Sequence, residues 1–225
     1  MDQNLKIYSI LEKNSVSRET CIEFEHFISM IIENNKKINL ISRGDEQNIR
    51  ERHIIDCAQA FDFIDLNSNI CIDLGSGNGM PGIILAIMMK NMELPIKFNL
   101  YEKSYHKSKF LESVSKKLKL NIEVIQKDVF KIKNINSGSI IGRAFKPLPD
   151  ILELINKNFS SYKNLILFMG KNGKQILKDA FKQWDFEYKE KMSLTSEQSF
   201  LINIKNIKKK LNKTKIISVK NKKGG

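Results

Sequence analysis

Between Asp73 and Gly82 the chain reads Asp-Leu-Gly-Ser-Gly-Asn-Gly-Met-Pro-Gly, which puts glycines at the alternate positions 75, 77 and 79. An apolar, β-branched run, Ile70–Leu74, leads into this segment, and a helical run follows it. Glycines let a chain turn tightly and let its backbone approach a ligand with no Cβ in the way. Pro81 in the first turn of the helix forfeits no hydrogen bond and presets the backbone angle. The N-terminus of that helix would then offer unpaired N–H groups and a partial positive charge to an anion. Such a loop is built to hold something small and partly anionic.

Two ligand classes fit. Read from Gly77, the glycines at 77, 79 and 82 formally match the dinucleotide fingerprint of NAD(P)-dependent oxidoreductases. The ribose-binding acid expected about 20 residues later is absent, because Ile96 and Lys97 stand there. Read from Asp73, the pattern is Asp-x-Gly-x-Gly-x-Gly, and an acid, Glu102, ends the next predicted strand. That pattern resembles the signature of class I S-adenosylmethionine-dependent methyltransferases. The resemblance implies that Asp73, Gly75, Ser76, Gly77, Asn78, Gly79 and Met80 cradle the amino-acid end of the cofactor while Glu102 holds the ribose. A carboxylate suits the second role, since its two oxygens accept from two adjacent hydroxyls. Asp128, just past the third predicted strand, falls where this class places an acid facing the adenine amino group. As a sequence feature it is equally a loop acid beside Lys127.

The elements that must position these residues form two regions. Residues 1–66 read as a helical extension. Phe24, Phe27, Ile28, Ile31 and Ile32 recur at helical spacing behind Ser17, a plausible cap. A second amphipathic run begins near Asp45, with Ile49, His53, Ile54, Cys57, Ala58 and Phe61 on one face, and Arg52 and Asp56 are spaced for an ion pair along it. From 67 to 207, strands predicted at 70–74, 96–101, 122–126, 139–142, 165–169, 186–192 and 200–204 alternate with helices near 80–91, 104–119, 149–158 and 172–183. This alternation predicts an α/β fold with a seven-stranded, mostly parallel sheet covered by helices on both faces. The last two strands have no helix between them and read as an antiparallel hairpin at one edge. Residues 208–225 read as a flexible, lysine-rich tail.

Thirty-eight basic residues against 25 acidic ones give a net charge of +13 in 225 residues. Nine lysines and no acid lie between Gln198 and Gly225, so +9 of that excess sits at the C-terminal end. A basic end of this kind suits a polyanion such as nucleic acid, or is simply a solvated terminus. The longest uninterrupted apolar run is far too short to span a bilayer, and no secretory leader is evident. Cys21, Cys57 and Cys71 are scattered in neither a disulfide nor a zinc pattern. A cytoplasmic protein that uses no metal is the resulting expectation.

A closer resemblance emerges from successive segments: Asn39-Leu40, then Arg52-His53-Ile54-Ile55-Asp56-Cys57-Ala58-Gln59, then Asp73 through Gly82. Glu102, Lys107, Phe110-Leu111 and Arg143-Ala144-Phe145 continue the series in order. The chain is similar, from about Phe24 to Ile204, to the RsmG (GidB) family of bacterial 16S rRNA guanine-N7 methyltransferases. The resemblance implies transfer of a methyl group from S-adenosylmethionine to N7 of guanine 527 in 16S rRNA or the small ribosomal subunit. It places cofactor contacts on Gly75, Met80, Val129, Phe130 and Arg143. Cys57 stands where the family usually has Ser, and Asp128 and Phe130 where an Arg-x-Glu is common. Arg52, His53, Lys107, Lys109 and Lys171 are the candidate RNA contacts. An alternative outside the enzyme class is an RNA-binding protein without catalysis.

Guanine N7 carries an in-plane lone pair and no proton, so its alkylation needs alignment and no general base. No catalytic nucleophile or proton acceptor is expected, with Arg143 in a supporting role.

Overall fold

The computed structural model describes residues 7–14 and 16–211. Strands form where short segments are rich in branched and aromatic residues: β1 (Ile70–Leu74), β2 (Lys97–Tyr101), β3 (Ile122–Ile125), β5 (Ser139–Gly142) and β7 (Asn164–Met169). These five are parallel, and two long C-terminal strands, β8 (Trp184–Met192) and β9 (Phe200–Lys209), complete one sheet in the order β3-β2-β1-β5-β7-β9-β8. β9 runs antiparallel to both β7 and β8, so the expected hairpin closes one edge. Two short strands, β4 (Ile135–Asn136) and β6 (Phe159–Ser161), pair apart from this sheet. They are too short for periodicity to reveal them.

Among the described residues, five α-helices of eight residues or more pack around the sheet: α1 (Arg18–Asn35), α2 (Gly82–Asn91), α3 (Tyr105–Leu118), α4 (Leu148–Asn158) and α5 (Gly173–Ala180). Successive strand residues point to opposite faces. Cys71, Phe98, Leu100, Ile141 and Ile166 therefore join the core under α1, α2 and α3. Ile72, Leu74, Ile140, Leu165 and Leu167 join the core under α4 and α5. Burial on both faces explains why the central strands β1, β5 and β7 are almost wholly apolar.

The N-terminal region shares the first of these cores. The Ser17 hydroxyl caps α1 by accepting the Thr20 N–H at 3.2 Å, and Phe24, Phe27, Ile28 and Ile31 are buried beneath it. Asn35 organises the connection that follows: its Oδ1 accepts the N–H groups of Leu40 and Ile41 at 2.8 and 3.0 Å.

The second helical run departs from the regular helix its spacing predicts. Arg50–Ile55 is π-helical, Asp56–Ala58 α-helical and Gln59–Phe63 a 3₁₀ turn. The wider turn breaks the four-residue alignment, so the expected Arg52–Asp56 pair does not form. Arg52 meets Asp45 at 3.1 Å, and Asp56 faces Arg143 instead. At the other end β9 continues through Lys209, beyond the point where the tail was expected to begin. The lysine-rich residues from Asn212 onward lie outside the described residues.

The three cysteines are free and buried, and no described helix is long and apolar enough to cross a membrane. Phe27, fully buried, approaches within 3.2 Å of the place where a Cβ on Gly79 would sit, which joins the N-terminal core to the glycine loop. Phe27→Ala should therefore cost about 3–5 kcal/mol of stability, measured by urea denaturation.

Candidate active site at the carboxyl edge of the sheet

β1 has β2 on one side and β5 on the other, so the strand order reverses there. Ligands of open α/β sheets bind outside the carboxyl ends of the strands at such a switch point. A cleft of about 760 Å³ opens at that edge.

Its floor is the glycine loop. Gly75, Gly77 and Gly79 have φ values of +66°, +54° and +94°, a region that side chains disfavour. A Cβ on Gly75 would lie 2.2 Å from the Phe145 ring, and one on Gly79 would lie 2.6 Å from Ile83. Space and backbone angle thus both demand glycine at these two positions.

One buried carboxylate underlies the loop and another braces it. Asp73, 1% exposed, accepts the Gly82 N–H at 3.1 Å. Burial pushes its carboxyl up to about 7, against the Gly82 donor that pulls it down. Glu102, also buried, accepts the Gly77 N–H at 2.9 Å through Oε2 and the Ser104 N–H at 2.7 Å through Oε1.

The start of α2 is less open to an anion than its sequence suggests. The Gly82 N–H is engaged by Asp73, the Ile83 N–H by the Gly79 carbonyl and the Met80 N–H by Asn78 Oδ1. The loop presents a side-chain-free wall more than a row of donors.

The remaining walls come from the ends of β2, β3 and β5 and from Leu40. Asp128 caps the short turn Val129–Lys131 by accepting the Phe130 N–H at 3.1 Å. Phe130 stacks on Phe145 with ring centroids 5.9 Å apart. Lys103, Lys107, Lys127 and Lys146 also line the cleft.

Arg143 leaves the end of β5 and reaches the N-terminal region. Its guanidinium donates to the Arg52 carbonyl at 2.7 Å and contacts His53 Nδ1 at 2.8 Å. It also lies 3.4 Å from the Asp56 carboxylate and 5.7 Å from the centre of the Phe168 ring. Asp56 in turn accepts from the Ser193 hydroxyl at 3.0 Å, and the buried Gln59 accepts the Leu194 N–H at 2.8 Å. Arg143 therefore fastens the irregular helix, the sheet edge and the β8–β9 loop together while lining the cleft.

Comparison with known proteins adds kinship to this geometry. The profile of the family described as rRNA small subunit methyltransferase G matches residues 20–211. A protein of that name from Pelagibacter ubique is 57% identical over 212 residues, which is 93% of this chain and 100% of the relative. One from Rickettsia akari is 34% identical over 194 residues, 86% of this chain and 98% of the relative. The chain belongs to this family. A SAM dependent methyltransferase of known structure from Aquifex aeolicus aligns with a TM-score of 0.52 at 14% identity, over 72% of this chain and 94% of that one. That likeness shows the fold alone: the seven-stranded, mostly parallel sheet of class I methyltransferases, as the sequence implied.

In this rRNA small subunit methyltransferase G family member, the cleft brings together Gly75, Ser76, Gly77, Asn78, Met80, Glu102, Asp128, Val129, Phe130 and Arg143 from the expected cofactor set. Asp73 and Gly79 do not line it: Asp73 is buried beneath the loop, and Gly79 is the loop residue that meets Ile83 and Phe27 in the core. Of the expected RNA contacts only Lys107 lines the cleft. Arg52 projects toward solvent with Asp45, and Lys109 pairs with Glu112 at 2.7 Å over the Tyr105 ring. Lys171 is exposed in the turn before α5. His53 is turned inward toward Arg143, and its Nε2 is buried with no hydrogen-bond partner among the described residues.

Sequence reasoning missed Lys103, Lys127, Lys146, Phe145 and Asp150 as cleft residues. For the first four the signal was position just past the carboxyl end of a strand; Asp150, in the first turn of α4, carried none.

Burial, then the nearby Arg143 charge, lowers the His53 pKa to about 4 from the usual 6.5. Between these values the unfolded chain binds a proton that the folded chain refuses, so this group's contribution to stability rises with pH from about 4 to about 6.5. Asp73, protonated in the fold up to about 7, acts in the opposite sense. His53→Asn should remove the rising component, measured as urea midpoints at pH 4.5 and 6.5 for the variant and the wild type. The difference expected is on the order of 1–3 kcal/mol.

Proposed function

We propose that this chain transfers the methyl group of S-adenosylmethionine to N7 of guanine 527 in 16S rRNA, acting in the cytoplasm on the small subunit or on an assembly intermediate. The observation that carries the reading is the cleft itself, a side-chain-free glycine wall facing the Glu102 carboxylate at the switch point of the sheet. The donor supplies an electrophilic methyl group on a positively charged sulfur. The chain's own residues then have three tasks.

The first is to hold. Each oxygen of Glu102 has capacity beyond the single N–H it accepts, so the carboxylate can take the two ribose hydroxyls as well. Asp128, Val129 and Phe130 stand where the adenine would lie, one polar side and one apolar face.

The second is to align. Nucleophilic N7, methyl carbon and sulfur must be collinear, and the walls at Gly75 and Phe145 define that approach. As the N7–C bond forms, the C–S bond breaks and its electron pair returns to sulfur. No proton moves, so the step asks nothing of a general base.

The third is to admit RNA. Lys103, Lys107, Lys127 and Lys146 give the mouth a positive rim suited to phosphates. A narrow A-form major groove would hide N7, so the target guanine is read in a single-stranded or splayed region.

Two other readings are separated by one experiment. Purified protein is incubated with labelled S-adenosylmethionine and small-subunit rRNA from cells lacking the activity, and the methyl group is mapped by cleavage at N7-methylguanine. One labelled guanine is expected, with calorimetric uptake of S-adenosylhomocysteine and none of NADH. NADH binding would restore the oxidoreductase. RNA binding without methyl transfer would leave a non-catalytic binder.

A further inference from the structure

Both purines carry an N7 lone pair, so alkylation chemistry alone does not select guanine over adenine. Selection requires a group that reads another edge of the base. Guanine differs from adenine in presenting two adjacent donors, N1–H and the N2 amino group, and a carboxylate accepts from such a pair through both oxygens.

Four acids line the cleft: Glu102, Asp128, Asp150 and Glu153. Three are occupied. Glu102 takes the Gly77 and Ser104 N–H groups, Asp128 takes the Phe130 N–H, and Glu153 pairs with Lys157 and Lys209 at 2.6 and 2.8 Å. Among the described residues, no hydrogen bond or ion pair reaches the Asp150 carboxylate, although Lys146 lines the same cleft. Asp150 lies in the first turn of α4, just after the segment that carries Phe145. The Phe145 ring packs directly on Gly75, and its stacking on Phe130 adds a second ring to a flat aromatic wall beside the glycine loop.

We propose that Asp150 is the guanine-specificity residue of this site: the target base lies against Phe145 and its N1–H and N2 amino groups donate to the Asp150 carboxylate. The proposal rests on the methyl-transfer reading above. It places the base so that N7, on the opposite side of the purine from the gripped edge, is free to face the donor. It also gives the carboxylate a second effect. Methylation at N7 makes the ring cationic and its N1–H a stronger donor, so the hydrogen bonds to Asp150 tighten as the transition state forms.

The test compares two RNAs identical except that the target nucleotide is guanosine or inosine, which lacks the N2 amino group. Wild-type protein should methylate the guanosine RNA about 10- to 100-fold faster in kcat/KM, the effect of one charge-assisted hydrogen bond. Asp150→Asn should slow the guanosine reaction and bring the ratio of the two near one. Asp150→Glu, which keeps the carboxylate, should retain part of the preference. Thermal unfolding and affinity for S-adenosylhomocysteine should be unchanged in both variants, because Asp150 is exposed and unpaired. An Asp150→Asn variant that keeps the wild-type preference overturns the proposal. So does one that loses cofactor affinity, since Asp150 would then serve the donor. A wild-type protein that binds S-adenosylhomocysteine but methylates neither RNA overturns the methyl-transfer reading itself, and this proposal with it.

Discussion

A single carboxylate holds the two halves of the cleft in register. Glu102 stands at the carboxyl end of β2, yet it accepts N–H groups from the loop after β1 and from the segment leading into α3. Hydrogen bonds to a buried carboxylate are worth more than neutral ones, and leaving such a group unpaired is costly. Glu102 therefore confines the left-handed glycines to one arrangement. The absence of a Cβ at 75, where Phe145 presses in, and at 79, where Ile83 does, is the matching constraint from the apolar side. Together they leave a wall that is both rigid and bare.

Arg143 extends this rigidity to the N-terminal region. A guanidinium offers several donors in a fixed plane, and here they meet a carbonyl, an imidazole and a carboxylate on one irregular helix. The π-helical stretch at Arg50–Ile55 turns Asp56 away from Arg52 and toward this partner. Leu40 from the same region completes the cleft wall. The extension thus belongs to the site as well as to the core beneath α1, and the separation of helical region from sheet that the sequence suggests is not a separation of hydrophobic cores.

Much of the fold was legible because the relevant signals are local. The apolar runs of the parallel strands, the alternation with helices, the Ser17 cap and the missing helix before β9 each follow from a few adjacent residues. The glycine loop and Glu102 were legible for the same reason. What remained hidden depends on contacts distant in sequence. Nothing near His53 indicates that Arg143, 90 residues away, turns its ring inward. The π-helical turn has no periodic signature that distinguishes it from an ordinary helix over one turn. The strands at 135–136 and 159–161 exist only because they pair with each other. Asp150 carries no motif, and its interest lies in having no hydrogen-bond or ion-pair partner among the described residues, unlike the other three acids of the cleft.

The central claim, that Glu102 holds a ribose while it braces the loop, is tested most directly by calorimetry with S-adenosylhomocysteine and its 2′-deoxy and 3′-deoxy analogues. Loss of either hydroxyl should weaken binding about tenfold or more, as expected for a hydrogen bond to a charged acceptor. Analogues that bind as tightly as the parent would contradict the account, because the carboxylate would then be a brace for the backbone and nothing else.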